Sequence, residues 1–294
     1  MVAPPESDAD LPDYFAGLGL PGAIDIHVHF MPEPVLRKVW SYFDLVTATG
    51  PTPWPVRYRF DEQTRLDVLR GFGVIWHTAL LYPHKAGMAA WLNEWGVEFG
   101  AGVDGCVPTG TFFPEPEAAG YVAAALDKGV RAFKAHLQVG AYDPTDPMLD
   151  PVWGMLADAG TPVVCHCGSG PMPGEFTGPV PIGRVLARHP NLTLVIAHLG
   201  TPEYGEFLDL AGRYPNVHLD TTMAFTDFVE QIAPFPPELR PQLAELGDRI
   251  VLGSDYPNIP YPYAHQVAAL HRLDLGDDWL RAVLHDNGAR LLQL

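Results

Sequence analysis

The sequence predicts a (β/α)8 TIM barrel with a long insertion after its first strand. Two observations carry that expectation. Eight short apolar runs recur along the chain, and most are near-continuous, as strands covered on both faces should be. Segments with helical spacing separate them, so strand and helix alternate eight times. The 294 residues suffice for the roughly 250 that such a barrel takes. An open doubly wound sheet is the alternative, but no Gly-rich dinucleotide fingerprint follows the first strand.

The predicted strands are "AIDIHVHF" (23–30), "GVIWHTALLY" (73–82), "VEFGAGVDGCV" (97–107), "VRAFKAHLQV" (130–139), "TPVVCHCG" (161–168), "LTLVIAHLG" (192–200), "NVHLDTTM" (216–223) and "RIVLGSDYP" (249–257). The predicted helices include 60–71, 115–129, 146–160, 181–190, 202–215 and 236–247. The second and third of these end in Gly, and the fourth and fifth stop before a Pro-led turn. Residues 1–21 read as an acidic, Pro-rich arm and 22–294 as the barrel. Residues 31–59 form an insertion on the first βα loop, rich in Trp and Tyr, and are expected to act as a lid because such loops open onto the active face.

Composition bounds the function. A hydrophobic share of 47% supports a sizeable core, and a formal net charge of −17 excludes a nucleic-acid binder, which needs a basic surface. No run approaches about 18 apolar residues, so no membrane span is expected. The N-terminus lacks signal-peptide character. Three cysteines, Cys106, Cys165 and Cys167, suggest reduced thiols in a cytoplasmic protein. The "CHC" at 165–167 reads as two space-filling cysteines flanking His166, whose parity is opposite, rather than as a soft metal site.

Polar residues fall at the strand ends. His27 and His29 close the first strand, Lys134 and His136 the fourth, His166 the fifth and His198 the sixth. Asp220 lies late in the seventh and Asp255 ends the eighth. In a barrel these ends converge on one mouth. Strict alternation puts Asp25, His27 and His29 on one face of the first strand, opposite Ile24, Ile26, Val28 and Phe30. An H-x-H pair with rings about 6–7 Å apart at the backbone can meet one ion. Neutral imidazole and carboxylate suit a divalent metal such as Zn2+. His166 and Asp255 are the ligands expected to join His27 and His29. Asp255 doubles as a base, and His198 is the expected acid/base or oxyanion partner. His136, His84 and Arg57 are candidate substrate contacts beside Lys134, and Asp25 and Asp220 are expected to orient ligands.

The chain resembles the amidohydrolase superfamily of metal-dependent TIM-barrel enzymes. Within it, the chain is similar to the amidohydrolase-related branch that includes aminocarboxymuconate semialdehyde decarboxylase. The matching motifs are "DIHVHF", "FKAH", "VVCHCG", "VIAHLG", "VLGSDYP" and "NGARLL", over about residues 22–294. The resemblance implies that His27, His29, His166 and Asp255 bind metal and that His198 is the acid/base of mononuclear members. It implies one ion, or two if Lys134 is carboxylated, and a small-molecule substrate; homo-oligomerisation is expected on the same ground. The reaction is expected to be hydrolysis of an amide, ester or lactone of a small substrate, with aromatic or carboxylated compounds as candidates. The alternative is non-oxidative decarboxylation, for which Arg57, Arg59, Lys85 and Lys134 are candidate carboxylate clamps.

Overall fold

The computed structural model describes residues 2–50 and 52–294. Met1, heading the arm, and Pro51, inside the insertion, lie outside the described residues. Nine short strands are found among them: β1 (Ala23–Asp25), β2 (Val74–Thr78), β3 (Cys106–Val107), β4 (Thr109–Thr111), β5 (Ala132–His136), β6 (Val163–His166), β7 (Leu194–Ile196), β8 (Val217–Asp220) and β9 (Ile250–Val251). β1, β2 and β3 pair in parallel in chain order, and so do β4 to β9. Pro108 divides one barrel strand into β3 and β4, because it has no N–H to donate to the ladder. Its carbonyl still accepts from Arg131 N at 3.0 Å. The circle closes where Ile26 N donates to Leu252 O (3.0 Å), Asp255 N to His27 O (2.9 Å) and His29 N to Tyr256 O (2.7 Å). The fold is therefore the expected TIM barrel.

The floor of the barrel is apolar. Ile24, Ile26, Val107, Ala132, Val164, Val195 and Val251 pack together, with Leu291 and Leu292 of the helix Asn287–Leu292 against them. Full burial of such a side chain contributes about 1.5–3 kcal/mol. Side chains two apart share a strand face, so Lys134 and His136 follow Ala132, and His166 follows Val164, towards the mouth. The outer helices are amphipathic. Pro179–Arg188 buries Ile182, Val185 and Leu186, spaced three and four apart. Glu62–Gly71 is capped by Asp61, which accepts from Thr64 N at 3.0 Å.

The structure corrects two sequence expectations. Residues 97–102 are not strand: they complete the helix Ala89–Gly102. Gly96 and Gly100 there let the helix lie against the barrel, since a Cβ on Gly96 would sit 2.2 Å from Thr109 O. The second correction concerns β1. Regular strand stops at Asp25 and the chain bends at Ile26, which shifts the alternation. Ile24 and Ile26 lie in the inner cluster, whereas Val28 and Phe30 belong to the main outer core. Asp25 does not share the ligand face: its carboxylate accepts from Tyr263 OH at 2.8 Å and from His27 N at 3.0 Å.

The insertion carries a helix, Glu33–Thr49, in which Leu36 is the buried residue. It is tied down through Asn258. Trp40 Nε1 donates to Asn258 Oδ1 at 3.1 Å and Trp54 Nε1 to Asn258 O at 2.7 Å. The N-terminal arm folds onto the barrel, with Leu11, Tyr14, Phe15 and Leu18 in the main core.

Candidate metal centre

The tautomers of the two histidines that follow β1 are set by their partners. His29 Nδ1–H donates to the Leu80 carbonyl at 2.8 Å, an atom that can only accept. His27 Nδ1–H donates to Asp220 Oδ2 at 2.8 Å. Both Nε2 lone pairs are thereby left facing Asp255 Oδ1, 3.7 Å from His27 and 2.9 Å from His29. Ligand atoms of His27, His29 and Asp255 all lie within 4.8 Å of one another. Three electron-rich atoms brought together in a buried site repel one another unless a cation sits among them, so this donor set fits a divalent metal.

Several features hold the triad. Asp255 has φ +71, a left-handed conformation that costs a non-glycine residue about 1–2 kcal/mol. Its amide donates to His27 O, and its carbonyl accepts from Asn258 N at 2.8 Å. Gly253 leaves room beneath: a Cβ there would fall 2.2 Å from Thr222 Oγ1 and 2.8 Å from His27 Cβ. Asp220 is fully buried. Besides His27, it accepts from His198 N at 2.8 Å and Thr222 N at 3.0 Å. One carboxylate thus joins β1, the end of β7 and β8.

Around the triad runs a closed circuit of aromatic rings. Centroids lie 5.7 Å apart for His29–Tyr82, 4.8 Å for Tyr82–His136, 4.1 Å for His136–His166, 4.8 Å for His166–His198, 5.1 Å for His198–His27 and 5.1 Å for His27–His29. His166 stands outside the tight triad. Its Nε2–H donates to Gly170 O at 2.9 Å, which leaves Nδ1 as its lone-pair nitrogen. His136 Nδ1 accepts from Val139 N at 3.3 Å, so its Nε2 carries the proton. Lys134 is fully buried, with Nζ 3.1 Å from His27 Nε2.

Burial favours the neutral form of His27, His136, His166 and His198. It pushes His166 down to about 3 and His198 to about 4, and holds His27 and His136 well below the ordinary histidine range. Burial alone would raise Asp255, but the close approach of His29, together with His27 and His198, outweighs it and holds the carboxyl low. Desolvation lowers Lys134 and raises Asp25 to about 6.

Two predicted substrate contacts lie at the surface. Arg57 is exposed, with its guanidinium 5.9 Å from the Tyr58 ring, and His84 is exposed after β2. Tyr82, Gly253 and Asn258 escaped the sequence reading. Tyr82 ends the second apolar run, where a polar strand end could have marked it.

A family model described as amidohydrolase matches residues 24–294. The chain belongs to the amidohydrolase family. This amidohydrolase matches solved structures over most of its length. An uncharacterised TIM-barrel protein from Bordetella bronchiseptica is 22% identical with a TM-score of 0.73, covering 92% of this chain and 98% of that one. A 2,6-dihydroxybenzoate decarboxylase in complex with 2,6-dihydroxybenzoate is 16% identical, with a TM-score of 0.65 over 94% and 100% of the two chains. A probable 2-pyrone-4,6-dicarboxylic acid hydrolase from Acinetobacter baumannii is 12% identical, with a TM-score of 0.60 over 93% and 100%. Among curated proteins, no sequence match reaches significance. Among the described residues no helix is long and apolar enough to cross a membrane.

Proposed function

We propose that this amidohydrolase is a metal-dependent hydrolase acting on an amide, ester or lactone of a small substrate, with one Zn2+ held by His27, His29, Asp255 and His166 Nδ1. The observation that carries the reading is the convergence of the His27 and His29 Nε2 lone pairs on Asp255 Oδ1. When bound, the ion supplies Lewis acidity to water and to a substrate carbonyl. The protein's own groups do the rest. Asp255 Oδ2 is available to take a proton from the attacking water, and its depressed pKa keeps it ionised at neutral pH. His198 is neutral, and among the described residues no hydrogen bond engages its ring. It donates a hydrogen bond to the developing oxyanion, and Asp255 returns the proton taken from water to the leaving group. Asp220 fixes His27 and the His198 backbone.

Decarboxylation is the second reading, favoured by Lys134. Its Nζ has no carboxylate within ion-pair distance among the described residues, so it is available to hold a substrate carboxylate. Isotopes separate the two. Reaction in 18O water should place the label in a hydrolysis product. Release of carbon dioxide with deuterium uptake at carbon, and no 18O, would instead establish a carboxy-lyase. Turnover and metal content that both survive His27→Ala and Asp255→Asn would overturn both readings.

A further inference from the structure

Lys134 and the metal claim the same electron pair. The lysine is fully buried on β5, and its hydrogen-bond partner is His27 Nε2 at 3.1 Å. A buried amine without an acceptor is costly, so this contact is what anchors Nζ. His27 has no second site to offer, because its Nδ1–H is committed to Asp220. An imidazole nitrogen carries one lone pair, and it can face a hydrogen-bond donor or a metal but not both. The triad places that same Nε2 opposite Asp255.

We propose that Lys134 is the internal occupant of the metal site: it caps His27 Nε2 in the metal-free protein, and metal loading displaces it. The inference rests on the metal reading of His27, His29 and Asp255. It assigns the lysine two positions, one on His27 and one released inside the aromatic circuit. Metal loading then frees Nζ towards the mouth, where an anionic substrate group can reach it. Metal binding precedes that contact.

The test strips the full-length protein with a chelator and titrates Zn2+ against a chromophoric competitor. Lys134→Met keeps the length and removes the donor. Loss of one competing hydrogen bond should tighten Zn2+ binding about tenfold without changing the number of ions per chain. Unchanged or weaker affinity overturns the proposal. So does a fall from two ions to one, which would make Lys134 a bridging ligand. A wild-type protein that binds no Zn2+ removes the metal reading itself and the inference with it, whereas normal wild-type binding with an indifferent Lys134→Met removes the inference alone. Should Lys134→Met not fold, the unmutated protein serves. In the metal-free state the 15N resonance of His27 Nε2 must be that of a hydrogen-bonded acceptor; a free lone pair there refutes the capping contact.

Discussion

Replacing Asp220 by Asn tests the centre at the group that organises it. The carboxylate accepts three hydrogen bonds, from His27 Nδ1–H, His198 N and Thr222 N. An Asn can keep its carbonyl oxygen towards the two backbone amides. Its NH2 then faces His27 Nδ1, and two donors cannot share that contact. The cheapest relief is a tautomer flip, which moves the His27 proton to Nε2 and removes the lone pair from the metal site. Loss of such an outer partner typically lowers metal affinity about 10–100-fold, or roughly 1.4–2.7 kcal/mol. Stability should fall little, because the buried amides remain paired. Asp220→Ala differs: it orphans both amides, at about 1–3 kcal/mol each, so it should destabilise by about 2–6 kcal/mol. Chelator competition reads the first effect, denaturant melts the second, and 15N NMR of His27 the tautomer. Wild-type metal affinity in Asp220→Asn would refute the reasoning.

Gly253→Ala should cost about 1–3 kcal/mol by overpacking, since its Cβ meets Thr222 Oγ1 and His27 Cβ; a wild-type melting temperature would show that the cradle yields freely. Stability should decline as pH drops from about 6.5 to 4. Burial pushes His77 and His218 down to about 4, so the unfolded chain binds more protons in that window and gains from acid. Their contribution is complete above the unfolded pKa, and a His218→Gln melt series should flatten part of the acid slope; an identical slope counts against it. Asn258→Leu removes the acceptor for Trp40 Nε1, a loss of about 1 kcal/mol. Hydrogen exchange over residues 33–59 should accelerate if that insertion opens as a lid, and unaltered exchange argues for a fixed cover.

The barrel was legible because its strands are buried on both faces and read as apolar runs, and because His27, Lys134, His166, His198 and Asp255 mark the ends of five different strands. Phase was not legible. The bend at Ile26 reassigns Asp25 to the outer layer, and a backbone bend leaves no mark in a two-residue alternation. Nor could spacing distinguish glycines that end a strand from Gly96 and Gly100, which seat a helix. The triad's partners were half visible: Asp220, which fixes the His27 Nδ1 proton, is a strand-end acid, but the His29 Nδ1 proton is fixed by Leu80 O, and a carbonyl acceptor has no residue signature. Tyr82 and Asn258 act through contacts set only by barrel closure.

The ring circuit has a consequence for how this protein can change. Each of its six members touches two others, so no position can be altered without disturbing both neighbours. Single replacements at His136 or Tyr82 should therefore be epistatic with each other, and double-mutant cycles across any touching pair should depart from additivity. A new specificity at this mouth would be reached through paired substitutions at adjacent links rather than through a series of independent steps.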